Sequence, residues 1–127
     1  MNYINLEQLL QLHVMVINQS GGSDGLRDLG RLESALASQE QVVFGDELYK
    51  TVFEKAAVMT RGVIADHPFI DGNKRTGMLA GSTLLQINGY KLVVEKGGLE
   101  NFAVLIAVDH CSIEQIAAWF KSNSIKS

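Results

Sequence analysis

One cysteine and one proline occur among 127 residues. Cys111 has no second thiol to pair with, so an internal disulfide framework is excluded. That usage fits a reducing compartment, and a cytoplasmic location is the expectation. Long hydrophobic runs are also missing. The longest, Phe102 to Val108, falls far short of the roughly 18 to 20 apolar residues of a membrane span, so no membrane association is expected. The N-terminus, MNYINLEQLL, has acidic Glu7 and no basic stretch ahead of an apolar segment, which argues against a secretory leader. Positive charge is in deficit, Lys+Arg 11 against Asp+Glu 14 for a net −3. A general electrostatic footprint for nucleic acid is therefore excluded, and no direct nucleic-acid partner is expected. The cations are scattered except for the neighbours Lys74 and Arg75, so any phosphate recognition must be local. Repeats and low-complexity tracts are absent as well.

What remains is a sequence rich in core-forming residues, 46% hydrophobic. A chain of this length buries roughly 65% of the surface exposed when unfolded, enough for one core without staples. A single domain over residues 1–127 follows as the expectation. The pattern is helical almost throughout. Asn5 and Gln8 form a capping box ahead of Leu6, Leu9, Leu10, Val14 and Ile17, with an end expected near Gln19. Gly21, Gly22, Gly25 and Gly30 make residues 20–30 an ordered loop or short hairpin. Asp28 is positioned to cap a short helix carrying Leu32, Ala35 and Leu36. A turn follows at residues 43–46. Leu48, Val52, Ala56, Met59, Val63 and His67 then recur at helical spacing, which predicts a long helix from Asp46 that Pro68 stops. Another helix is expected from Gly72-Asn73 to Asn88-Gly89, then a short extended piece at residues 90–94. A helix over 99–108 and a last one capped by Ser112 with Gln115 complete the reading.

The chemistry is concentrated in His67-Pro68-Phe69-Ile70-Asp71-Gly72-Asn73-Lys74-Arg75-Thr76, between two apolar helices. A helix starting near Gly72 points unpaired backbone N–H groups and its positive dipole end toward the preceding loop, which favours an anion. Gly72 lets a phosphate come close. Arg75 offers a planar fork and Lys74 a point charge. Asp71 is a hard oxygen ligand suited to Mg²⁺ held jointly with nucleotide phosphates. Histidine titrates nearest neutrality of all side chains, which makes His67 a candidate base for an incoming hydroxyl. Phe69 is expected to turn inward and anchor the loop, and Asn73 to cap the next helix or orient substrate. His13 and His110 read as structural. A metal site built on His67 and Asp71 as a helical pair is disfavoured by the intervening Pro68.

HPFIDGNKRT closely resembles the signature loop of the Fic/Doc (Fido) superfamily, HxFx(D/E)GN(G/K)R, and within it the death-on-curing toxin branch. Residues 21–36, GGSDGLRDLGRLESAL, resemble that branch's N-terminal segment. The resemblance implies an all-α Fido helical bundle of about six helices with at most a short extended hairpin. Adenylyl-transferring members carry Gly where Lys74 stands and a second Arg where Met78 stands. The death-on-curing branch, with Lys, is understood to bind nucleotide reversed and transfer the γ-phosphoryl group of ATP.

By resemblance, then, the chain is expected to be a Fic-fold protein Ser/Thr kinase and the toxin of a type II toxin-antitoxin system. Its implied target is a translation factor of the elongation factor Tu class, with growth arrest as the outcome. ATP and Mg²⁺ are the implied cofactors. His67 would be the base and Asp71 the Mg²⁺ ligand, with Lys74 and Arg75 completing the catalytic set. Gly72, Asn73, Lys74 and Arg75 would bind nucleotide phosphate. Arg27, Asp28 and Glu33 match the branch too, but a loop-stabilising ion pair or helix cap accounts for them equally well. No Ser or Thr is followed four residues later by Glu, so the inhibitory pattern (S/T)xxxE(G/N) of other family members is absent. Restraint is expected from a small antitoxin whose C-terminal segment folds on the toxin. The alternatives are AMP transfer to a protein hydroxyl and a non-catalytic module that binds phosphate or antitoxin.

Overall fold

The computed structural model describes residues 1–127. Six helices carry the architecture: α1 (Leu6–Ser20), α2 (Leu29–Ala37), α3 (Val52–Asp66), α4 (Asn73–Ile87), α5 (Gly98–Asp109) and α6 (Ile113–Ser122). Two small antiparallel strand pairs accompany them. Strand β1 (Val42–Val43) pairs with β2 (Asp46–Glu47), and β3 (Tyr90–Leu92) with β4 (Ser124–Lys126). The bundle is all-α in character, as the sequence pattern implied.

The central element is α3, which packs against α2, α4, α5 and α6. Ala56, Ala57, Met59, Val63 and Ile64 are each at most 1% exposed, so this helix is apolar on more than one side. Its partner α4 comes unusually near. A Cβ at Gly81 would stand 2.4 Å from Thr60 Oγ1 and 2.7 Å from a Phe120 ring carbon, so a side chain there would force α3, α4 and α6 apart. Capping fixes where helices begin. Asn5 with Gln8 and Ser112 with Gln115 form capping boxes, and the Asp28 side chain accepts from Arg31 N at 3.1 Å.

The structure corrects the start of α3. The helix begins at Val52 behind a Thr51–Glu54 capping box, not at Asp46. Leu48 fits the helical spacing only by coincidence and is 44% exposed. The preceding residues turn back instead: Phe44 (φ 51) and Gly45 (φ 83) are both left-handed, the requirement of a tight hairpin turn between β1 and β2. A buried lysine holds this hairpin to the bundle. Lys55 Nζ donates to Gln39 O at 2.8 Å and to Glu47 Oε1 on β2 at 2.9 Å. Gln39, equally buried, accepts from Ile4 N and donates to Ile4 O and Leu36 O. The pairing of β3 with the C-terminal β4 is a further element that the sequence pattern did not announce.

Candidate active site

The segment between α3 and α4 is held at almost every residue. His67 closes α3 in a left-handed conformation (φ 49, ψ 59), uncommon for a residue with a Cβ, and turns the chain sharply into Pro68. Just before it, Arg31 Nη1 donates to Asp66 O at 2.9 Å. Pro68 O accepts from Arg27 N at 2.8 Å and Asp28 N at 3.0 Å. Ile70 N donates to Gly25 O at 3.1 Å, and Leu26 forms an isolated bridge with Phe69. The glycine-bearing loop is thus ordered and serves as the brace of the signature loop. Asp28 caps α2 and pairs with Arg31 Nε at 3.4 Å, so its role is in that brace. Arg27 contributes its backbone.

Phe69 points inward, 1% exposed, as expected. It stacks on His13 of α1 with centroids 3.8 Å apart and planes 4° from parallel. His13 Nε2 also lies 2.8 Å from Asp71 O; since a carbonyl only accepts, that nitrogen carries a proton. His13 is 2% exposed and structural, as the sequence suggested, though its specific hold on the loop depends on a contact no local pattern could reveal.

Asn73 requires a correction. Its side chain neither caps α4 nor is free to orient substrate: Oδ1 accepts from Phe69 N at 3.0 Å and Nδ2 donates to Phe69 O at 2.9 Å, with the residue 7% exposed. The N-cap is Gly72, left-handed at φ 78 and without a side-chain hydrogen bond. The first α4 amide with a partner is that of Thr76, which donates to Gly72 O at 2.9 Å. The backbone N–H groups of Asn73, Lys74 and Arg75 therefore have no partner within the chain. They converge on the loop, as an anion site requires.

Asp71 projects into the same space. Its Oδ1 accepts from Gly72 N at 2.9 Å and Oδ2 from Ser23 N at 3.2 Å. Gly22 lies so near that a Cβ there would stand 2.6 Å from Oδ2. Each carboxylate oxygen keeps a further lone pair directed outward. No cluster of three or more His, Cys, Asp or Glu side chains surrounds it. The donor set thus fits a hard cation whose other ligands come from phosphate and water, as Mg²⁺ prefers, and does not fit a cage made by protein alone.

His67, Asp71, Gly72, Asn73, Lys74 and Arg75 all line one cleft of about 530 Å³, together with Gly21, Gly22 and Ile70. His67, Asp71, Lys74 and Arg75 are exposed to it, and no hydrogen bond immobilises the His67 ring. A larger depression of about 780 Å³ lies among the start of α3, β3 and α6, and it contains none of these residues. The cleft at the signature loop thus brings an imidazole, a carboxylate, three free amides and two cations together. Such a set can bind a phosphorylated ligand, neutralise charge on a transferring group and accept a proton.

Comparison with known proteins agrees with this geometry. Residues 3–85 match the model of the Fic/DOC family. The chain is 34% identical over 100 residues to a protein named Toxin Doc from Mycolicibacterium smegmatis, covering 77% of each. It is 30% identical over 117 residues to a protein named Protein kinase doc from Escherichia phage P1, covering 92% of this chain and 91% of that one.

Proposed function

Because this chain belongs to the Fic/DOC family, we propose that its cleft transfers the γ-phosphoryl group of ATP to a Ser or Thr hydroxyl of a protein. The observation that carries the reading is the set of unpartnered amides at Asn73, Lys74 and Arg75, beside two cations and within one cleft with His67 and Asp71. The relative named as a protein kinase supports the reaction type.

In this mechanism the free amides and the Arg75 fork hold the terminal phosphate, and Lys74 offsets its charge. His67 accepts the proton of the target hydroxyl while that oxygen forms a bond to the γ-phosphorus. The bond between the γ-phosphorus and its bridging oxygen breaks, and ADP leaves with the electron pair. Asp71 would hold Mg²⁺ against the phosphates, and the ion supplies charge neutralisation when bound. Asn73 acts through its backbone amide, while its side chain keeps the loop closed. No covalent enzyme intermediate is required.

The relative named as a toxin supports a growth-arresting role. A translation factor of the elongation factor Tu class is the proposed target. A small antitoxin with a C-terminal segment that folds on binding is the proposed restraint in a type II system, and the cytoplasm is the proposed compartment. The test is mass spectrometry of a bacterial lysate incubated with the purified chain, ATP and Mg²⁺. Phosphoserine or phosphothreonine on a translation factor, absent with His67→Asn, is the expected result. A peptide carrying AMP would replace the kinase reading by nucleotidyl transfer, and no modification at all would leave a binding module.

A further inference from the structure

One hydroxyl side chain lines the signature-loop cleft. Ser20, the last residue of α1, borders the same space of about 530 Å³ as His67, Asp71, Lys74 and Arg75, and no other Ser, Thr or Tyr does. Its position follows from the face that α1 turns to the site. A Cβ built on Gly72, the N-cap of α4, would stand 3.7 Å from His13 Nε2 and 3.4 Å from Val16 Cγ1. Ser20 follows Val16 by one helical turn and His13 by two, so helical periodicity carries it along that face to the mouth of the cleft. The Gly21 amide still donates to Ile17 O at 2.9 Å, which keeps α1 regular up to Ser20.

The side chain is also free. Ser38, Thr83 and Ser124 each donate back to a carbonyl of the preceding turn, whereas the Ser20 hydroxyl is exposed and has no partner in the chain. Ser23 differs: its amide is tied to Asp71 Oδ2 at 3.2 Å, and it does not line the cleft. A Cβ on Gly21 would meet nothing within 4 Å, so the chain beyond Ser20 borders open space. An unbonded hydroxyl at the edge of a site that acts on hydroxyls is itself an acceptor.

We propose that Ser20 is a self-modification site: with no protein acceptor in the cleft, the chain transfers the γ-phosphoryl group of ATP to its own Ser20 and thereby arrests itself. The inference rests on the kinase reading above and adds its regulation. Ser20 Oγ forms a bond to the γ-phosphorus and its proton passes to His67, while the bond from that phosphorus to its bridging oxygen breaks and ADP leaves with the electron pair. An acceptor fixed at the cleft needs no binding step. The product stays where it forms. Phosphoserine carries about −1.5 to −2 charge near neutral pH, and neither Lys74 nor Arg75 is committed to an ion pair within the chain. Both cations and the three free amides therefore answer the new phosphate. It occupies the anion site by charge and by volume, so a fresh nucleotide is excluded. Restraint then lies in the chain itself, although the inhibitory helix pattern is absent.

The test is incubation of the purified chain with γ-labelled ATP and Mg²⁺ and no acceptor, followed by trypsin digestion and fragment sequencing. Label is expected in the peptide of residues 1–27, at Ser20 and not Ser23, at a rate per molecule independent of protein concentration and lost in His67→Asn. The labelled chain should bind ATP at least about tenfold more weakly than the unlabelled one. With bacterial lysate as acceptor, Ser20→Ala should start at the rate of the intact chain and keep transferring after the intact chain has slowed. Label on lysate protein with none on Ser20 overturns the inference and leaves the kinase reading standing. Label at Ser23, a rate that rises with protein concentration, or undiminished ATP binding by the labelled chain overturns it equally. Absence of label from both chain and lysate would instead refute the kinase reading itself.

Discussion

His13 donates from Nε2 to the backbone carbonyl of Asp71 at 2.8 Å, across 58 residues of sequence, while its ring lies flat on Phe69. The first helix therefore fixes the residue proposed to face the metal and phosphate, through its backbone and through the neighbouring aromatic. His13→Phe keeps a ring for stacking and removes the donor. We expect a stability loss of about 1 kcal/mol in urea unfolding. Phosphotransfer should fall roughly 10 to 100-fold, with a raised Mg²⁺ requirement, because small misplacements of positioned groups are costly. Unchanged Mg²⁺ dependence would restrict His13 to packing.

Gly22 reaches the same carboxylate from the other side. At φ 106 and with 2.6 Å between a built Cβ and Asp71 Oδ2, Gly22→Ala must push the carboxylate or the loop away. Activity at limiting Mg²⁺ is expected to drop at least about tenfold, equivalent to about 1.4 kcal/mol, without any change in the signature loop's sequence. A Mg²⁺ titration of initial rates checks this.

His67 combines a strained conformation with a free side chain. Asparagine tolerates left-handed backbone better than most residues, so His67→Asn should leave the thermal unfolding midpoint nearly unchanged. Loss of the proposed base should lower phosphotransfer by roughly 10² to 10⁴-fold. Retention of full activity would remove His67 from the chemistry.

The hairpin tether is expected to respond to pH. The hydrogen bond and charge of Lys55 hold the Glu47 carboxyl below the usual glutamate range. Burial disfavours the Lys55 ammonium, but hydrogen bonds and charge from Glu47 and Tyr3 outweigh it, so its pKa stands above the usual lysine value. A lowered carboxyl pKa contributes stability above the unfolded value, about 4.3, which is lost as pH falls through the folded value. A raised ammonium pKa contributes stability fully below about 10.4 and loses it as pH rises through the folded value. Unfolding midpoints should therefore decline at both extremes, and Glu47→Gln should flatten the acid limb. An unchanged acid limb would contradict the tether.

Much of the site was legible because its chemistry is contiguous. Residues 67–76 carry base, acid, glycine and cations in one segment, and the glycine, the proline and the apolar flanks locate it between two helices. Capping boxes at Asn5 and Ser112 were readable for the same reason: their partners lie three residues away. What escaped depends on distant contacts. The placement of Asn73 against the Phe69 backbone, the hold of His13 on Asp71 and the burial of Lys55 between Gln39 and Glu47 have no local pattern. The start of α3 is hidden in the sequence because Leu48 happens to fall on the helical period, while the Phe44–Gly45 turn that interrupts it follows from left-handed backbone at a residue, Phe44, with no propensity for it.

The most direct measurement follows label from ATP to protein. Parallel reactions contain ATP labelled at the α or the γ phosphate, Mg²⁺, the purified chain and bacterial lysate. Transfer from the γ position alone, abolished by His67→Asn, is the predicted result; transfer from the α position would contradict the account.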